Sequence, residues 1–287
     1  MTTLIYDQRI CSLGEGPLWH PTRKQLFWFD ILNHKMLSQD HDGPLEWQFE
    51  ESVSAAGWID DNTLLVASES MLMQLNLTTG DSHAVAALEA DRPDTRSNDG
   101  RADPWGGFWI STMGKQAEPQ AGAIYRYYQG SIRKIVDGIS IPNAICFCPD
   151  RRFAYYTDTP TQRVMRQHLD EATGWPSGAA HVFLDLSDQH LNPDGAVVDT
   201  TGNIWLAQWG AARVAAYNHA GRFVRAVPVA ARNSSCPAFG GEDLDTLFCT
   251  SAAHGVSNLI REHQPSNGMV FCAPGVGTGQ AEHRVVL

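Results

Sequence analysis

Six short segments of the same character recur along this chain, and their spacing is its strongest structural constraint. They are Phe27-Trp28-Phe29-Asp30, Leu64-Leu65-Val66-Ala67, Phe108-Trp109-Ile110-Ser111, Ala154-Tyr155-Tyr156-Thr157, Ile204-Trp205-Leu206-Ala207 and Leu247-Phe248-Cys249-Thr250, and their first residues lie 37, 44, 46, 50 and 43 positions apart. Aromatic and β-branched side chains of this kind suit a pleated, packed surface. A cluster of Gly, Pro, Asn or Asp precedes each segment, at residues 21–24, 60–62, 104–107, 149–151, 201–203 and 240–243. Such clusters end strands. Ahead of the turns lie further apolar runs, Ala144-Ile145-Cys146-Phe147 and Ala196-Val197-Val198 among them, and more strand candidates follow, such as residues 122–127 and 213–217.

A sustained 3.6-residue apolar stripe is missing, so long helices are excluded. Short strands repeating at roughly 40 to 50 residues are the pattern of a β-propeller, one blade per repeat. The spacing therefore predicts an all-β, six-bladed propeller of four-stranded antiparallel blades around a central channel, with residues 1–287 as a single domain. A propeller has to close on itself, and residues 4–10 are expected to add a strand to the last blade.

Composition narrows the function. Hydrophobic residues make up 43% of the chain, nine are Trp, and only 18% are charged, which describes a globular protein with a large core. A formal net charge of −11 argues against nucleic acid and anionic membranes as main partners, since both select clustered Lys and Arg. The first residues carry neither a basic nor a long apolar region, and no run approaches the ~18 apolar residues of a membrane span. A cytoplasmic protein is expected, as a monomer or weak homodimer. The six cysteines form no CxxC pair, which excludes a zinc ribbon and a dithiol redox motif and leaves reduced, buried thiols as the expectation.

Equivalent positions of different blades meet in space at one end of a propeller's channel. Counting back ten to twelve residues from each recurring segment, to the entry of the innermost strand, reaches Glu15, residues 52–54, Asn98, Asn143, Asp194 and the Ser235-Cys236 pair. Two carboxylates and two carboxamides at one mouth are hard oxygen donors suited to Ca²⁺, Mg²⁺ or Mn²⁺. Uncompensated carboxylates inside a tunnel would be costly. The alternative is that Gly-Glu-Gly-Pro, Asn-Asp-Gly and Pro-Asp-Gly are turns that only cap strands.

At these positions a resemblance becomes specific. Leu13-Gly14-Glu15-Gly16-Pro17-Leu18-Trp19, the run from Arg96-Ser97-Asn98-Asp99-Gly100 to Pro104, Pro142-Asn143-Ala144, Pro193-Asp194-Gly195 and Phe239-Gly240-Gly241 resemble, in order, the motifs of the senescence-marker-protein, gluconolactonase and luciferin-regenerating-enzyme family. That resemblance implies a six-bladed propeller holding one divalent metal ion, Ca²⁺ first and Zn²⁺, Mg²⁺, Mn²⁺ or Fe²⁺ as alternatives, and hydrolysis of a sugar lactone. By the same resemblance Glu15, Asn143 and Asp194 are metal ligands, Asp194 is also the general base on water, and Arg96 and Asn98 hold the substrate's oxygens. Gln116, near a position where relatives often carry a substrate-contacting acid, is expected to contact the substrate as well. The chain departs from the pattern in having Ala144 in place of glycine and Gly114-Lys115-Gln116 after Met113.

Other chemistries lack their residues. No Gly-x-Ser-x-Gly elbow and no His-Glu-x-x-His pair occurs, against a serine hydrolase and a zincin. A phosphoester or fluorophosphate hydrolase of the same fold and a non-catalytic, metal-stabilised binding propeller remain as alternatives, and Arg96 beside Asn98 favours catalysis over the second. His20, His190 and His254 are placed near the mouth or its loops. Trp109 and Trp205 are expected to pack between blades, with Trp209 just past its strand.

Overall fold

The structure, a computed structural model, describes residues 3–287. Twenty-four strands in chain order form six antiparallel sheets of four among the described residues. After β1 (Leu4–Asp7), blade I holds β2 (Gly14–His20), β3 (Gln25–Asp30), β4 (Lys35–Asp40) and β5 (Gly43–Gln48), and blade II holds β6 (Val53–Asp60), β7 (Thr63–Ser68), β8 (Met71–Asn76) and β9 (Ser82–Ala87). Blade III comprises β10 (Thr95–Ala102), β11 (Phe108–Gly114), β12 (Gly122–Tyr128) and β13 (Ser131–Ile139), and blade IV β14 (Pro142–Phe147), β15 (Phe153–Asp158), β16 (Arg163–His168) and β17 (His181–Asp185). Blade V has β18 (Asn192–Val198), β19 (Ile204–Trp209), β20 (Arg213–Tyr217) and β21 (Phe223–Pro228). Blade VI has β22 (Ser234–Gly240), β23 (Thr246–Ser251) and β24 (Val270–Pro274), with β1 as its outermost strand.

The six recurring segments are the second strands, β3, β7, β11, β15, β19 and β23. They lack polar alternation because each lies between two neighbouring blades and is buried on both faces, as β3 and β11 are throughout. Outer strands alternate instead, β5 exposing every second residue. The turns ahead of the second strands are closed by acids: Asp103 Oδ1 accepts from the backbone N of Trp105 at 2.8 Å and of Gly107 at 3.0 Å, and Asp199 Oδ1 accepts from Thr201 N and Asn203 N, both at 2.9 Å. These are the local bonds that make Asp a turn former.

The apolar core is divided among the six blade junctions, one cluster to each. Trp109 meets Phe147 edge-on at 5.4 Å across the junction of blades III and IV, and Trp205 meets Phe239 at 5.6 Å across that of V and VI. Both tryptophans pack between blades, as their strand positions predicted. The ring closes with strands from both parts of the chain: Leu4 pairs with Cys272 and Ile5 with Phe271. Of residues 4–10, Leu4–Asp7 form the added strand, and Arg9 beyond it donates to Leu45 O and Ser38 O of blade I. A short helix (Asn258–His263) precedes β24, and among the described residues no helix is long and apolar enough to cross a membrane. All six cysteines are free thiols.

Candidate active site

Each innermost strand carries a register irregularity near its start, between Glu15 and Leu18, Val53 and Ala55, Ser97 and Gly100, Asn143 and Cys146, Pro193 and Ala196, and Ser234 and Pro237. A bulge inserts residues without partners and re-aims side chains. Glu15 and Asn143 are the last paired residues before their bulges, whereas Asn98 and Asp194 are the first residues inside theirs. The sequence-derived equivalence of these four is therefore shifted by one residue in two blades. They nonetheless share the same end of the ring, each at 4–8% exposure.

Second-strand acids fix two of the entries. Asp30 at the end of β3 accepts from Ser12 N at 2.9 Å and Leu13 N at 3.0 Å, holding the chain that delivers Glu15. Asp158 at the end of β15 accepts from Ile141 N at 2.9 Å, doing the same for Asn143. Gly16 then takes φ +53°, and a Cβ there would run into the Ser54 carbonyl of the next blade. Glycine is required at that point by both conformation and space.

A hydrogen-bonded chain links the polar side chains across three blades. Arg96 Nη1 donates to Ser97 O and to Asn98 Oδ1, each at 2.8 Å. Asn98 Nδ2 donates to Asn143 Oδ1 at 3.0 Å and to Pro142 O at 2.9 Å. Asn143 Nδ2 donates to Thr159 Oγ1 at 3.0 Å, and Thr159 Oγ1 donates to Pro193 O at 2.8 Å, beside Asp194. This network orients both carboxamides, so that each presents its oxygen rather than its nitrogen to its donor.

The carboxylates are far less well served. Glu15 Oε2 accepts from Gly16 N at 3.2 Å, and Asp194 is supported by the backbone N–H of Gly195. Burial pushes the Glu15 carboxyl up to about 8, with the nearby Asp99 carboxylate adding to the rise, while the Gly16 N–H and Arg96 oppose it. Asp194 is raised well above the ordinary range, first by burial and then by Glu15 and Asp99. Asp99 is pushed up to about 6 by burial, against the Ile145 N–H that it accepts at 2.7 Å and the charge of Arg101. Arg96, lowered to about 10 by burial, feels Glu15 and Glu69 as counter-charges.

Three buried acids thus repel one another, opposed only by Arg96 at Glu15 and by Arg101 at Asp99. Such a group is under-compensated as protein alone. Two carboxylates and a carboxamide oxygen held in place are the donor chemistry of a hard divalent cation, so Glu15, Asn143 and Asp194 fit one. The oxygens of Glu15, Asp99 and Asp194 do not all lie within 4.8 Å of one another; Asp40, His41 and Asp42 do, and these are exposed in the turn after β4. Asp99 adds negative potential to both Glu15 and Asp194.

Asp99 was not singled out from the sequence. It is the second bulge residue of β10, where other blades have Pro17, Ile145, Gly195 and Cys236, so the only available signal was an acid at a place the repeat otherwise leaves uncharged. Glu69 also joins the group, bridged to Lys115 at 2.5 Å and accepting from Ser52 N at 3.2 Å. The structure does not bring Gln116 into the cluster: it is exposed in the turn after β11, with its backbone N–H donated to Glu118. His20 lies at the opposite end of the ring, fully buried, with Nε2 3.0 Å from Asp60 O, and is a structural residue. His190 and His254 are exposed, His254 on the same side as the acids with its backbone N–H on Ser12 O. Trp209 ends β19 on that side, half-buried.

Residues 13–253 match the family model described as SMP-30/Gluconolactonase/LRE-like region. The chain is 33% identical over 294 aligned positions to pentonolactonase XacC of Haloferax volcanii, covering 99% of this chain and 98% of that one, and 31% identical to an L-arabinolactonase of Azospirillum brasilense, covering 98% and 94%. A crystal structure of a calcium-binding protein, regucalcin, from Agrobacterium tumefaciens strain C58 superimposes with a TM-score of 0.97 at 36% identity, covering 100% of this chain and 98% of that one. The chain belongs to the SMP-30/gluconolactonase/LRE-like family.

Proposed function

We propose that this protein hydrolyses a sugar lactone, a pentono- or hexono-1,4- or 1,5-lactone, to the aldonic acid, using a divalent cation held by Glu15, Asn143 and Asp194. The observation that carries the proposal is the buried group of mutually repelling acids, Glu15, Asp99 and Asp194, bordered by a hydrogen-bonded Arg96–Asn98–Asn143 chain. The names of the relatives, a pentonolactonase and an L-arabinolactonase, support a lactone substrate, and the regucalcin described as calcium-binding supports Ca²⁺ as the ion to test first. When bound, the cation offsets the charge of the acids and polarises an ester carbonyl.

The chain's own groups supply the rest. Asp194, whose carboxylate is supported by the Gly195 N–H, is suited to accept a proton from the attacking water as general base. Water adds to the lactone carbonyl carbon, the ring C–O bond breaks, and the proton is delivered to the departing ring oxygen, opening the ring to the hydroxy acid. Arg96 spends one guanidinium nitrogen on Ser97 O and Asn98 Oδ1, and its other N–H groups are the donors suited to the substrate's hydroxyls. A lactone is an activated ester, so a positioned base and an electrostatic site, at about 10² to 10⁴-fold each, are sufficient without a covalent nucleophile.

The test is a lactone panel followed by acid release, with chelated protein, with protein reconstituted ion by ion, and with Asp194→Asn. Turnover of pentono- or hexonolactones that needs the ion and falls at least about a hundredfold in Asp194→Asn is expected. Lactone hydrolysis indifferent to both would overturn the mechanism, ion binding without turnover would identify a binding propeller, and turnover of phosphoesters alone a different hydrolase.

A further inference from the structure

At the end of the ring opposite the acids, residues 279–286 cross the exits of the innermost strands. Gly279 N donates to Leu244 O of blade VI at 2.8 Å. Gln280 Nε2 donates to Val198 O of blade V at 2.9 Å and Phe147 O of blade IV at 3.2 Å, both carbonyls at the ends of innermost strands. Glu282 O accepts from Trp58 Nε1 of blade II at 2.8 Å, and Val285 N donates to Trp58 O at 2.9 Å. Val286 N reaches Gly106 O of blade III at 2.9 Å. The Val285 side chain is fully buried at the junction of blades II and III. A segment that satisfies carbonyls of five blades acts as a stopper, and a small cavity remains above it, lined by Arg101, Cys146, Val197 and Glu282 among others.

Inside this closure the Glu282 carboxylate forms an ion pair with Arg101 Nη1, at side-chain exposures of 7% and 10%. Arg101 lies two residues beyond Asp99 on β10, and the two side chains bracket one residue of the neighbouring blade: Asp99 Oδ2 accepts from Ile145 N at 2.7 Å, and Arg101 Nε donates to Ile145 O at 3.3 Å. Arg101 Nη2 donates to Ala196 O at 3.4 Å, on the strand that carries Asp194. A guanidinium thus sits directly beneath the acid cluster, and its counter-charge comes from outside the six blades.

We propose that Glu282 is a positioning residue for the site above it: by pairing with Arg101 it cancels a positive charge that would otherwise oppose a divalent cation at Glu15 and Asp194, and residues 279–286 serve to hold it there. This rests on the cation-dependent reading of the site. An uncompensated unit charge a few residues away in a poorly screened interior changes the affinity for a doubly charged ion by about tenfold or more.

The test is calorimetric titration with Ca²⁺ of chelated full-length protein, wild type against Glu282→Gln, Arg101→Met and the double Arg101→Met/Glu282→Leu, with folding checked by thermal melting. Glu282→Gln is expected to weaken binding at least about tenfold, Arg101→Met to tighten it, and the double variant to return to within about threefold of wild type, since it removes both charges. A merely structural segment would not produce changes of opposite sign. If Glu282→Gln fails to fold, the double variant decides: wild-type affinity supports the proposal, and an affinity tenfold weaker overturns it. Equal dissociation constants in all four proteins, or weakening in all three variants, also overturns it while leaving the site assignment intact. Absence of Ca²⁺ binding by wild type overturns both.

Discussion

Chelated protein is expected to lose stability as the pH rises from 6.5 to 8. Glu15 has an ordinary value of 4.5 and stands at about 8 in the folded chain. Between those values the unfolded chain has released this proton and the folded chain still holds it, so each further pH step favours unfolding, by about 1.4 kcal/mol. Over the window from 6.5 to 8, Glu15 alone removes about 2 kcal/mol, which lowers the melting temperature by about 4 °C in a protein of this size. The window is chosen because His20 and His283, both lowered by burial, act with the opposite sign only up to the ordinary imidazole value. Asp194 adds in the same direction as Glu15. Saturating Ca²⁺ is expected to remove the slope by binding only the folded carboxylates, and Glu15→Gln to remove most of it in chelator. Thermal melts at pH 6.5, 7.25 and 8, with EDTA and with excess Ca²⁺, are the measurement. A chelated wild type that melts at the same temperature or higher at pH 8, with Glu15→Gln indistinguishable from it, would refute the picture of under-compensated acids.

Three other perturbations probe separate parts of the molecule. Asp103→Ala removes the partner of Arg126, a fully buried guanidinium paired at 2.6 Å, and urea titration is expected to show a loss of about 3 to 5 kcal/mol. Tyr6→Ala strips the closing strand of its edge contacts with Phe248 at 4.9 Å and Trp28 at 6.3 Å; a loss of about 2 to 4 kcal/mol, with faster amide exchange in β24 than in β19, would show that closure is local to blade VI. Arg96→Lys replaces a guanidinium that bonds Ser97 O and Asn98 Oδ1 while leaving other donors free, so KM for the lactone should rise about tenfold with kcat changed less and the fold intact.

Those parts of the fold that depend on burial were legible from residue type. A second strand lies between two blades and has to be apolar on both faces, which is why Phe108-Trp109-Ile110 and Ile204-Trp205-Leu206 stand out without alternation. The turns were legible because Asp103 and Asp199 close them with their own carboxylates. The bulges were not, since an extra residue alters no composition and shifts spacing by one, within the variation of the repeat. Counting back from the second strands reached Asn143 at eleven residues but Asn98 and Asp194 at ten, because these two lie inside their bulges whereas Asn143 precedes its own. Asp99 was hidden for the same reason: in Asn98-Asp99-Gly100 it reads as the second half of a turn, and only the bulge sends it toward the Ile145 amide beside Glu15 and Asp194. Residues 279–286 have no repeat and no periodicity, and their position is fixed by strand-end carbonyls far away in sequence.

Ala144 shows how firmly the backbone dictates this site. It holds φ +59° at the position where Gly16 holds +53° in blade I, the left-handed region that costs a residue with a Cβ about 1 to 2 kcal/mol. The departure from glycine noted in the sequence therefore leaves the geometry unchanged and stores strain one residue from Asn143, whose side chain keeps its bonds to Asn98 and Thr159. Strain of this kind persists only where surrounding contacts over-determine the conformation. Here those contacts are the Asp158 carboxylate on Ile141 N and the Asn98 side chain on Pro142 O, which clamp the entry of β14 from two blades. The strand start is thus set by its neighbours rather than by the residue that occupies it, and for that reason a donor oxygen at Asn143 survives a substitution that would reshape a free turn.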